Sequence, residues 1–299
     1  YSSGQRKEYL EAELHYNRTF GDHMLGAVLK YSQDKTTNTS HNGNTDSYEK
    51  IVQSIQNRHQ GFAGRFTYGW KYRYFFDFNF GYNGSENFAS GQQFGFFPAY
   101  SVAWNIAEES IIKKHLKWLN MFKLRYSYGK VGNDNVGTRF PYVEKFGTWD
   151  EDGYYYGDIG TSNYYYTGLT YSRIASSSIT WEVAKKHDNF SGSIDYFHEQ
   201  RNGIYMVRSY LPQIIGLNHI TTKPYANVGS VLSEGFDGNI AYKQRIGEVD
   251  LTVRANMTYS KNEIKEYDEE NSRYPYKMKY GFRVDQARGL IAEGLFKDY

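Results

Sequence analysis

The sequence predicts an all-β protein, a transmembrane antiparallel β-barrel, and three observations carry that prediction. One stretch has a large aromatic residue at every second position, several other stretches repeat the alternation, and short and long connections alternate between them. A period of two is that of a β-strand, whose successive side chains point to opposite faces. The aromatic positions of the first stretch are Tyr72, Tyr74, Phe76, Phe78, Phe80 and Tyr82.

This first strand, Lys71–Asn83, has one continuous aromatic face. Apart from Phe75, the residues between the rings are small or polar. Soluble sheets also alternate, but they seldom place so many rings in a row on one face. A transmembrane strand does so because lipid lies on its outer face while water or polar side chains lie on its inner face.

Five further segments follow the same template. In each, apolar residues alternate with polar or small ones. In chain order they are Leu10–Asn17, Phe62–Trp70, Phe122–Gly129, Phe236–Lys243 and Val249–Ser260. The last is longer than the usual soluble strand and matches the roughly 9–11 residues that a tilted strand needs to cross a bilayer.

The connections fall into two classes that alternate, as a meander of antiparallel strands requires. Short ones are expected at Phe20–Asp22, Gly69–Lys71, His187–Asn189 and Ile246–Glu248, with a slightly longer link, of about one helical turn, at Glu108–Lys114. Long ones are expected near Asp34–Gln56, Ser85–Gly91, Gly132–Thr170, Asn202–Tyr225 and Asn262–Tyr274. We expect roughly eleven or twelve strands and no separate domain.

Composition narrows the class of protein. The chain has 299 residues with 31 Tyr, 19 Phe and no Cys, so a disulfide framework, thiolate metal sites and a cysteine nucleophile are excluded. Its mean hydropathy of −0.74 is polar, which a barrel tolerates because the inner face and the loops are wet. The net charge of +2 gives no argument for nucleic acid. Lipid is therefore an expected partner, and nucleic acid is not.

The most unusual loop is Gly147–Tyr166, in which aromatic rings lie beside carboxylates. Such a mixture suits a sugar, whose C–H faces stack on rings while its hydroxyl groups bond to polar side chains. The alternative is that these rings pack the loops against one another or against a protein partner. The candidate ligand-binding residues are Trp149, Asp150, Asp152, Tyr154, Tyr155, Tyr156, Tyr164, Tyr165 and Tyr166.

No motif indicates a metal, a cofactor or catalysis. The acidic runs Asp150–Asp152 and Asp268–Glu270 lack the regular spacing and the glycine of a calcium loop, so ordinary solvated charge is favoured. The histidines form no H-x-x-x-H pair. Gly132–Gly137 reads as a turn and not as a phosphate loop, and no Gly-x-Ser-x-Gly elbow occurs. We therefore expect no enzyme, no cofactor and no metal.

A series of short motifs resembles the SusC/RagA type of TonB-dependent outer-membrane transporter. Each motif is weak alone, and the match rests on their order over nearly the whole chain. They are Asn83–Phe88, Phe94–Ala99, Trp104, Phe122–Asn133, Thr180–Glu182, Ser191–Tyr196, Asn227–Gly229, Gly235–Phe236 and Gly289–Phe296.

The resemblance implies a plugged barrel of about 22 strands in the outer membrane of a Bacteroidetes-type bacterium. Such a barrel imports glycan or peptide fragments with a SusD-like surface lipoprotein and is powered through TonB, which contacts the plug region. On this basis we expect residues 1–299 to be a partial barrel domain, without the plug, the signal peptide and the final strands. Long loops would be extracellular and short turns periplasmic.

Three alternatives stay open at this point. The first two replace the importer by a soluble aromatic-rich β-sandwich or lectin-like carbohydrate-binding protein, or by an outer-membrane enzyme.

The third concerns the run from Asp188 into Asn189 and Phe190, where the family pattern has a longer hairpin. Either this hairpin is short, or a stretch of chain is missing from the sequence between Asp188 and Asn189, and we favour the second.

Overall fold

The fold is that of a computed structural model. It describes residues 4–38, 55–134, 139–143, 145–149, 153–158, 167–184, 187–210, 225–291 and 294, and of residues 145–189 within these ranges the backbone alone is described.

Most of the described residues lie in β-strands. The strands are β1 (Gln5–Phe20), β2 (His23–Asn38), β3 (Asn57–Trp70), β4 (Tyr74–Ser85), β5 (Phe94–Asn105), β6 (Leu119–Asn133), β7 (Lys145–Trp149), β8 (Gly153–Asp158), β9 (Thr167–Ala184), β10 (His187–Val207), β11 (Tyr225–Ile246) and β12 (Val249–Glu266). The helical elements are a 3₁₀ helix (Ile106–Glu108), the helix α1 (Ser110–His115) and a second 3₁₀ helix (Pro275–Lys277).

Ten of these strands form one antiparallel sheet in the order β1-β2-β3-β4-β5-β6-β9-β10-β11-β12. Strands β7 and β8 form a separate two-stranded hairpin within the connection between β6 and β9. The sheet does not close on itself, and β1 and β12 are its edges. The predicted antiparallel meander and its roughly eleven or twelve strands are therefore confirmed, with one pair of strands set apart from the main sheet.

Connections at the two ends of the sheet differ in length, as predicted. At one end β1–β2, β3–β4 and β11–β12 are joined by two or three residues, and at the same end the longer link from β5 to β6 carries α1. At the other end β2–β3, β4–β5, β6–β9 and β10–β11 are joined by longer segments. We call these the short-turn end and the long-loop end.

The β3–β4 connection is a tight turn with an unusual backbone. Lys71 and Tyr72 have φ of 52° and 54°, and the Arg73 N–H donates to the Trp70 carbonyl oxygen at 2.9 Å. Two successive positive φ angles match the twist of the flanking strands but are normally left to Asn and Gly. The corresponding turns after β1 and β11 place Gly21 and Gly247 at φ of 56° and 63°.

Strand β10 runs from His187 through Asp188 and Asn189 as one element. Its pairing with β9 shifts register between His187 and Asp188, between Asp188 and Phe190, and again before Ile194. The favoured expectation that a stretch is missing between Asp188 and Asn189 stays a prediction. Strand β9 ends at Ala184 and β10 begins at His187, so the predicted connection His187–Asn189 is wrong, since these residues lie within β10.

The sheet is a single layer with almost no interior. Among the described residues, the hydrophobic side chains that are buried are Phe88, Ala107 and Ile264. A sandwich needs a second sheet packed about 10 Å away, with side chains interlocked between the two, and the described residues provide none. The sandwich alternative is therefore wrong. No helix among the described residues is long and apolar enough to span a membrane.

Candidate functional site

The two faces of the sheet are defined by rows of residues paired directly across neighbouring strands. One row, the outer row, is apolar almost throughout. It consists of Arg18, Leu25, Tyr68, Phe76, Val102, Tyr126, Ile174, Tyr196, Phe236 and Tyr259, of which Arg18 on the edge strand β1 is the charged member. The predicted alternation of aromatic and polar positions is thus in register over strand after strand.

The adjacent row, displaced by one residue, is polar or small at every position except Phe197. We call it the inner row. It consists of Asn17, Gly26, Thr67, Asp77, Ser101, Ser127, Arg173, Phe197, Gly235 and Ser260.

Rings on the outer face touch one another across strands. Phe80 lies 5.7 Å from Phe62 and 6.1 Å from Phe96, measured between ring centroids, and Tyr196 lies 5.0 Å from Phe236. These distances are typical of favourable aromatic pairs. Many of the rings are nevertheless exposed in the isolated chain; Phe236 and Tyr259, for example, are 49% and 61% exposed. A face this apolar requires a nonpolar surrounding, which lipid supplies.

Charged residues on the inner face pair across strands. Arg65 of β3 lies 3.7 Å from Asp77 of β4, and the Ser101 hydroxyl donates to the same carboxylate at 3.5 Å. Two strands further on, Arg125 of β6 reaches Asp195 of β10 at 3.7 Å, and Asp195 is only 8% exposed. Pairing across strands stabilises the face without removing its hydrogen-bonding character.

A cavity of about 800 Å³ opens on this inner face. Its lining includes Thr67, Asp77, Ser101, Lys123 and Arg125. Phe75 contributes an inner-face ring to the lining, which also includes Tyr68, and the Lys123 ammonium lies 4.1 Å from the Phe75 centroid, a cation–π distance. The cavity therefore offers donors, acceptors, both signs of charge and one aromatic face. A ligand rich in hydroxyl or amide groups is the kind that such a lining accommodates.

At the long-loop end, three residues form what we call the mouth clasp. The Nδ1 atom of His59 in β3 lies 3.6 Å from Asp34 Oδ2 of β2, and its Nε2 atom lies 3.7 Å from Asp134 Oδ2, just past β6. The interaction with Asp134, opposed by partial burial and assisted by Asp34, raises the pKa of His59. The same contact lowers the pKa of Asp134. Counted from Trp70, His59 lies beyond the roughly 9–11 residues that cross a bilayer.

Arg139 reinforces the mouth clasp. Its guanidinium donates to the backbone oxygens of Ile55 at 2.7 Å and Gln56 at 3.2 Å, and it pairs with the Glu86 carboxylate. The segment after β6 therefore contacts both the residues just before β3 and the loop after β4. Together, the clasp and Arg139 hold one loop over the polar face at its long-loop end.

A second link joins the loops after β10 and β12. The Arg208 guanidinium lies 3.1 Å from one oxygen of Asp268, and the Tyr210 N–H donates to the other at 3.1 Å. Glu269 accepts hydrogen bonds from the backbone N–H groups of Lys279 and Tyr280, each at 2.8 Å. These acids organise the loop itself. Among the described residues, no group of three or more His, Asp and Glu side chains is placed to hold a metal ion.

Only part of the predicted ligand-binding loop lies within the described residues. Trp149 ends β7 opposite Gly153, and β8 places Tyr154, Tyr155 and Tyr156 opposite Thr148, Gly147 and Phe146. This hairpin was not predicted from the sequence. Asp150, Asp152, Tyr164, Tyr165 and Tyr166 lie outside the described residues, so the ligand-binding role of the whole set remains a prediction.

Sequence reasoning missed the mouth clasp and Arg139. His59 fits the alternation as one more inner-face residue, and Asp134 lies in the Gly132–Gly137 segment, which reads as a turn. Nothing local connects positions 59 and 134, because their contact depends on how far the sheet curves and on the path of a long loop. The alternation predicts the face of the sheet on which each side chain lies, but the contacts of the clasp depend on the tertiary structure.

One lipid-facing surface and one polar surface, alternating along long antiparallel strands, define a transmembrane β-barrel wall. Comparisons with known proteins identify the kind of barrel. A scan against family models finds no match. The chain is 25% identical over 284 residues to TonB-dependent receptor P3 of Formosa agariphila, which covers 85% of this chain and 27% of that protein. It is 26% identical over 224 residues to TonB-dependent receptor SusC of Bacteroides thetaiotaomicron, which covers 72% of this chain and 22% of that protein.

Solved structures agree with this assignment of the fold. The RagAB peptide importer in its closed-closed state matches with a TM-score of 0.70 at 17% identity, over 94% of this chain and 33% of that chain. The siderophore receptor PirA of Pseudomonas aeruginosa matches with a TM-score of 0.54 at 12% identity, over 88% of this chain and 44% of that chain.

The chain is therefore a stretch of β-barrel wall related to TonB-dependent receptors of the SusC/RagA type, as its motifs indicate. It spans about a quarter of the length of the curated relatives it matches. Those relatives are named as receptors, and the structural neighbours as importers or receptors, rather than as enzymes.

Proposed function

We propose that this protein forms part of a TonB-dependent importer in the outer membrane of a Bacteroidetes-type bacterium. The observation that carries the proposal is the pair of rows: an apolar outer row, and one residue away a polar inner row, both in register across the whole main sheet. A wall of this kind separates lipid from a wet passage, and the passage is where cargo moves.

Oligosaccharide or peptide fragments are the cargo that fits this wall best. Both are rich in hydrogen-bonding groups, and the inner cavity combines hydroxyl, carboxylate, ammonium and guanidinium groups with the Phe75 ring. At the long-loop end, Trp149, Asp150, Asp152, Tyr154–Tyr156 and Tyr164–Tyr166 are proposed to make the first contacts. The resemblance to the SusC/RagA type supports both cargo classes, and one solved neighbour is a peptide importer.

The resemblance also supplies the partners in this proposal. A SusD-like surface lipoprotein would cover the long-loop end, and TonB would supply energy through the plug region of the whole protein. The protein itself would perform no covalent chemistry. It would bind the cargo, let it pass and release it, with neither cofactor nor metal.

Uptake by cells that carry the full-length protein tests the proposal. Ser101→Trp with Ser127→Trp places two rings on the inner face at directly paired positions, and Val102→Trp with Tyr126→Trp is the matched pair on the outer face. Fluorescent oligosaccharide and peptide mixtures serve as probes, with surface level measured in parallel. We expect the inner pair to reduce uptake at equal surface level while the outer pair preserves it. Equal uptake by both variants, or no uptake of either cargo by wild type, would contradict the proposal.

A further inference from the structure

The link between β5 and β6 differs from the other short-turn connections. It covers residues 106–118 and folds as the first 3₁₀ helix followed by α1, whereas its neighbours at this end are tight turns. The Lys113 N–H donates to the Glu109 carbonyl oxygen at 2.8 Å, and the Leu116 N–H donates to that of Ile112 at 2.7 Å. The link is thus an ordered element rather than a loose loop.

Its first part is tied to the lipid-facing side of the sheet. The Glu109 carboxylate accepts hydrogen bonds from the Tyr74 hydroxyl at 2.8 Å and from the Trp104 Nε1–H at 3.1 Å, and Arg73 lies 3.5 Å from it. Tyr74 and Trp104 are directly paired and stack at 6.4 Å. The hydrogen bond from Tyr74, followed by that from Trp104, lowers the pKa of Glu109, so the carboxylate stays charged and the tether persists.

The rest of the link divides into an inward and an outward side. Ile112 and Leu116 are four residues apart, which places them on one side of the helical turn, and both are half-buried. Ile111 and Trp118 face outward, with exposures of 70% and 47%. Tryptophan is the residue most typical of a membrane–water boundary, because its ring is apolar and its N–H is polar.

Positive charge accompanies the outward apolar residues. Lys113 pairs with Glu108 at 2.8 Å, and Glu109 is matched by Arg73. Lys114 and Lys117 have no acidic partner within the part of the chain that the structure describes. Two lysines beside an exposed isoleucine and an exposed tryptophan make a surface that is both cationic and apolar, and the tether to Tyr74 and Trp104 keeps it at the edge of the lipid-facing wall.

We propose that the β5–β6 link is a lipid-interface anchor: Ile111 and Trp118 insert at the bilayer boundary at the short-turn end, and Lys114 and Lys117 bind the phosphates of anionic phospholipids. The anchor depends on the transmembrane orientation in the proposed function but not on the cargo. Basic residues beside an apolar face bind anionic bilayers in this way. The anchor would fix the height of β5 and β6 in the membrane, since the link joins directly to both strands.

Spin labels placed in the full-length protein in lipid nanodiscs test the insertion. This chain contains no Cys, so Ile111→Cys provides a single label within it. Asp22→Cys, in the exposed β1–β2 turn at the same end, is the aqueous control, and Phe76→Cys is the lipid control. We expect the label at 111 to be more accessible to oxygen than to a water-soluble nickel complex, as at 76. Accessibility equal to that at 22 would overturn the insertion, and so would low accessibility to both reagents, which is the result if a soluble protein covered the link instead.

A charge variant tests the second half of the proposal. The double variant Lys114→Gln, Lys117→Gln is compared with the double variant Lys243→Gln, Arg245→Gln. The second variant removes the same charge from the last residues of β11, which also lie at the short-turn end. Nanodiscs contain phosphatidylcholine with or without phosphatidylglycerol, and the readout is the anionic lipid retained by the protein. Retention should fall about fivefold for each lysine removed from the link and remain unchanged in the control. Equal retention of anionic lipid by the two variants would overturn the lipid assignment. Failure of the uptake experiment, with insertion and lipid retention intact, would count against the import function alone.

Discussion

The outer and inner rows of the sheet lie one residue apart on the same strands, yet they differ in nearly every side chain. On β4 the change occurs between Phe76 and Asp77, and on β6 between Tyr126 and Ser127. Both rows have the same backbone, the same hydrogen-bonded neighbours and the same height in the sheet. Position relative to the pleat therefore decides the environment, and a slip of one residue in register would place aspartate in lipid and phenylalanine in the passage.

The strongest test of this contrast is a charge placed on each face of β4. Phe78→Arg puts a guanidinium on the lipid-facing side and should weaken the assembled barrel by about 2–4 kcal/mol near the midplane. Asn79→Arg, its neighbour on the inner face, should have a much smaller effect. Heat-modifiable migration of the full-length protein after membrane extraction measures assembly, and similar losses in the two variants would show that the faces are wrongly assigned.

A glycine on each face gives the next largest difference. Gly64 is on the outer face, where a Cβ atom would lie 2.4 Å from the Phe80 ring, which is packed between Phe62 and Phe96. Gly64→Ala should destabilise the fold by about 1–3 kcal/mol through overpacking.

Gly81→Ala on the inner face is the control. A Cβ atom there meets only the side-chain amide of Asn83, at 3.3 Å, so a small effect is expected. Urea titration in detergent compares the two variants. If Gly81→Ala were the more damaging of the two, the tight packing assigned to the outer face would be refuted.

The turn that sets the register of β3 against β4 offers a gain in stability. Lys71→Asn with Tyr72→Gly supplies the residues that tolerate positive φ and should stabilise the hairpin by about 1 kcal/mol. Gly247→Ala, where φ is 63°, should destabilise the β11–β12 turn by a similar amount. Thermal unfolding in detergent measures both changes, and a loss of stability in the Asn-Gly variant would mean that the Tyr72 side chain contributes more than the strain costs.

The smallest effect concerns the mouth clasp and depends on pH. The raised pKa of His59 makes its contribution complete below the ordinary value of 6.5 and lost as pH rises through the raised value. The lowered pKa of Asp134 makes its contribution complete above 3.8 and lost as pH falls through the lowered value. The clasp is therefore strongest between these ordinary values, and since both groups are partly exposed it contributes below about 1 kcal/mol.

Hydrogen exchange of residues 139–143 follows the clasp. Exchange should be slower at pH 5.5 than at pH values above the raised pKa of His59, after correction for the intrinsic rate. His59→Gln should remove the difference, and Lys35→Gln, a neighbouring charge change, should preserve it. A pH dependence that survives in His59→Gln would place the titrating group elsewhere.

The sequence predicts the strands of this fold well because the alternation within each strand indicates which residues lie on each face. The alternation at Tyr74–Tyr82 needs no knowledge of any distant residue, and neither does a turn such as Ile246–Glu248, although Tyr72, predicted as part of the same strand, lies in the β3–β4 turn. The mouth clasp and the tether of Glu109 to Tyr74 and Trp104 could not be predicted, since each joins residues that meet only through sheet curvature or linker geometry. The β7–β8 hairpin was missed for another reason: its tyrosines are consecutive and show no alternation.

The connection between β6 and β9 has a consequence for how the protein folds. Every other pairing in the main sheet joins strands adjacent in sequence, whereas β6 must find β9 across residues 134–166. Closing a long loop costs more chain entropy than closing a two-residue turn and slows the step that requires it. Strands β1–β6 and β9–β12 should therefore form first as two blocks, and their joining along the β6–β9 seam should set the rate at which the wall is completed.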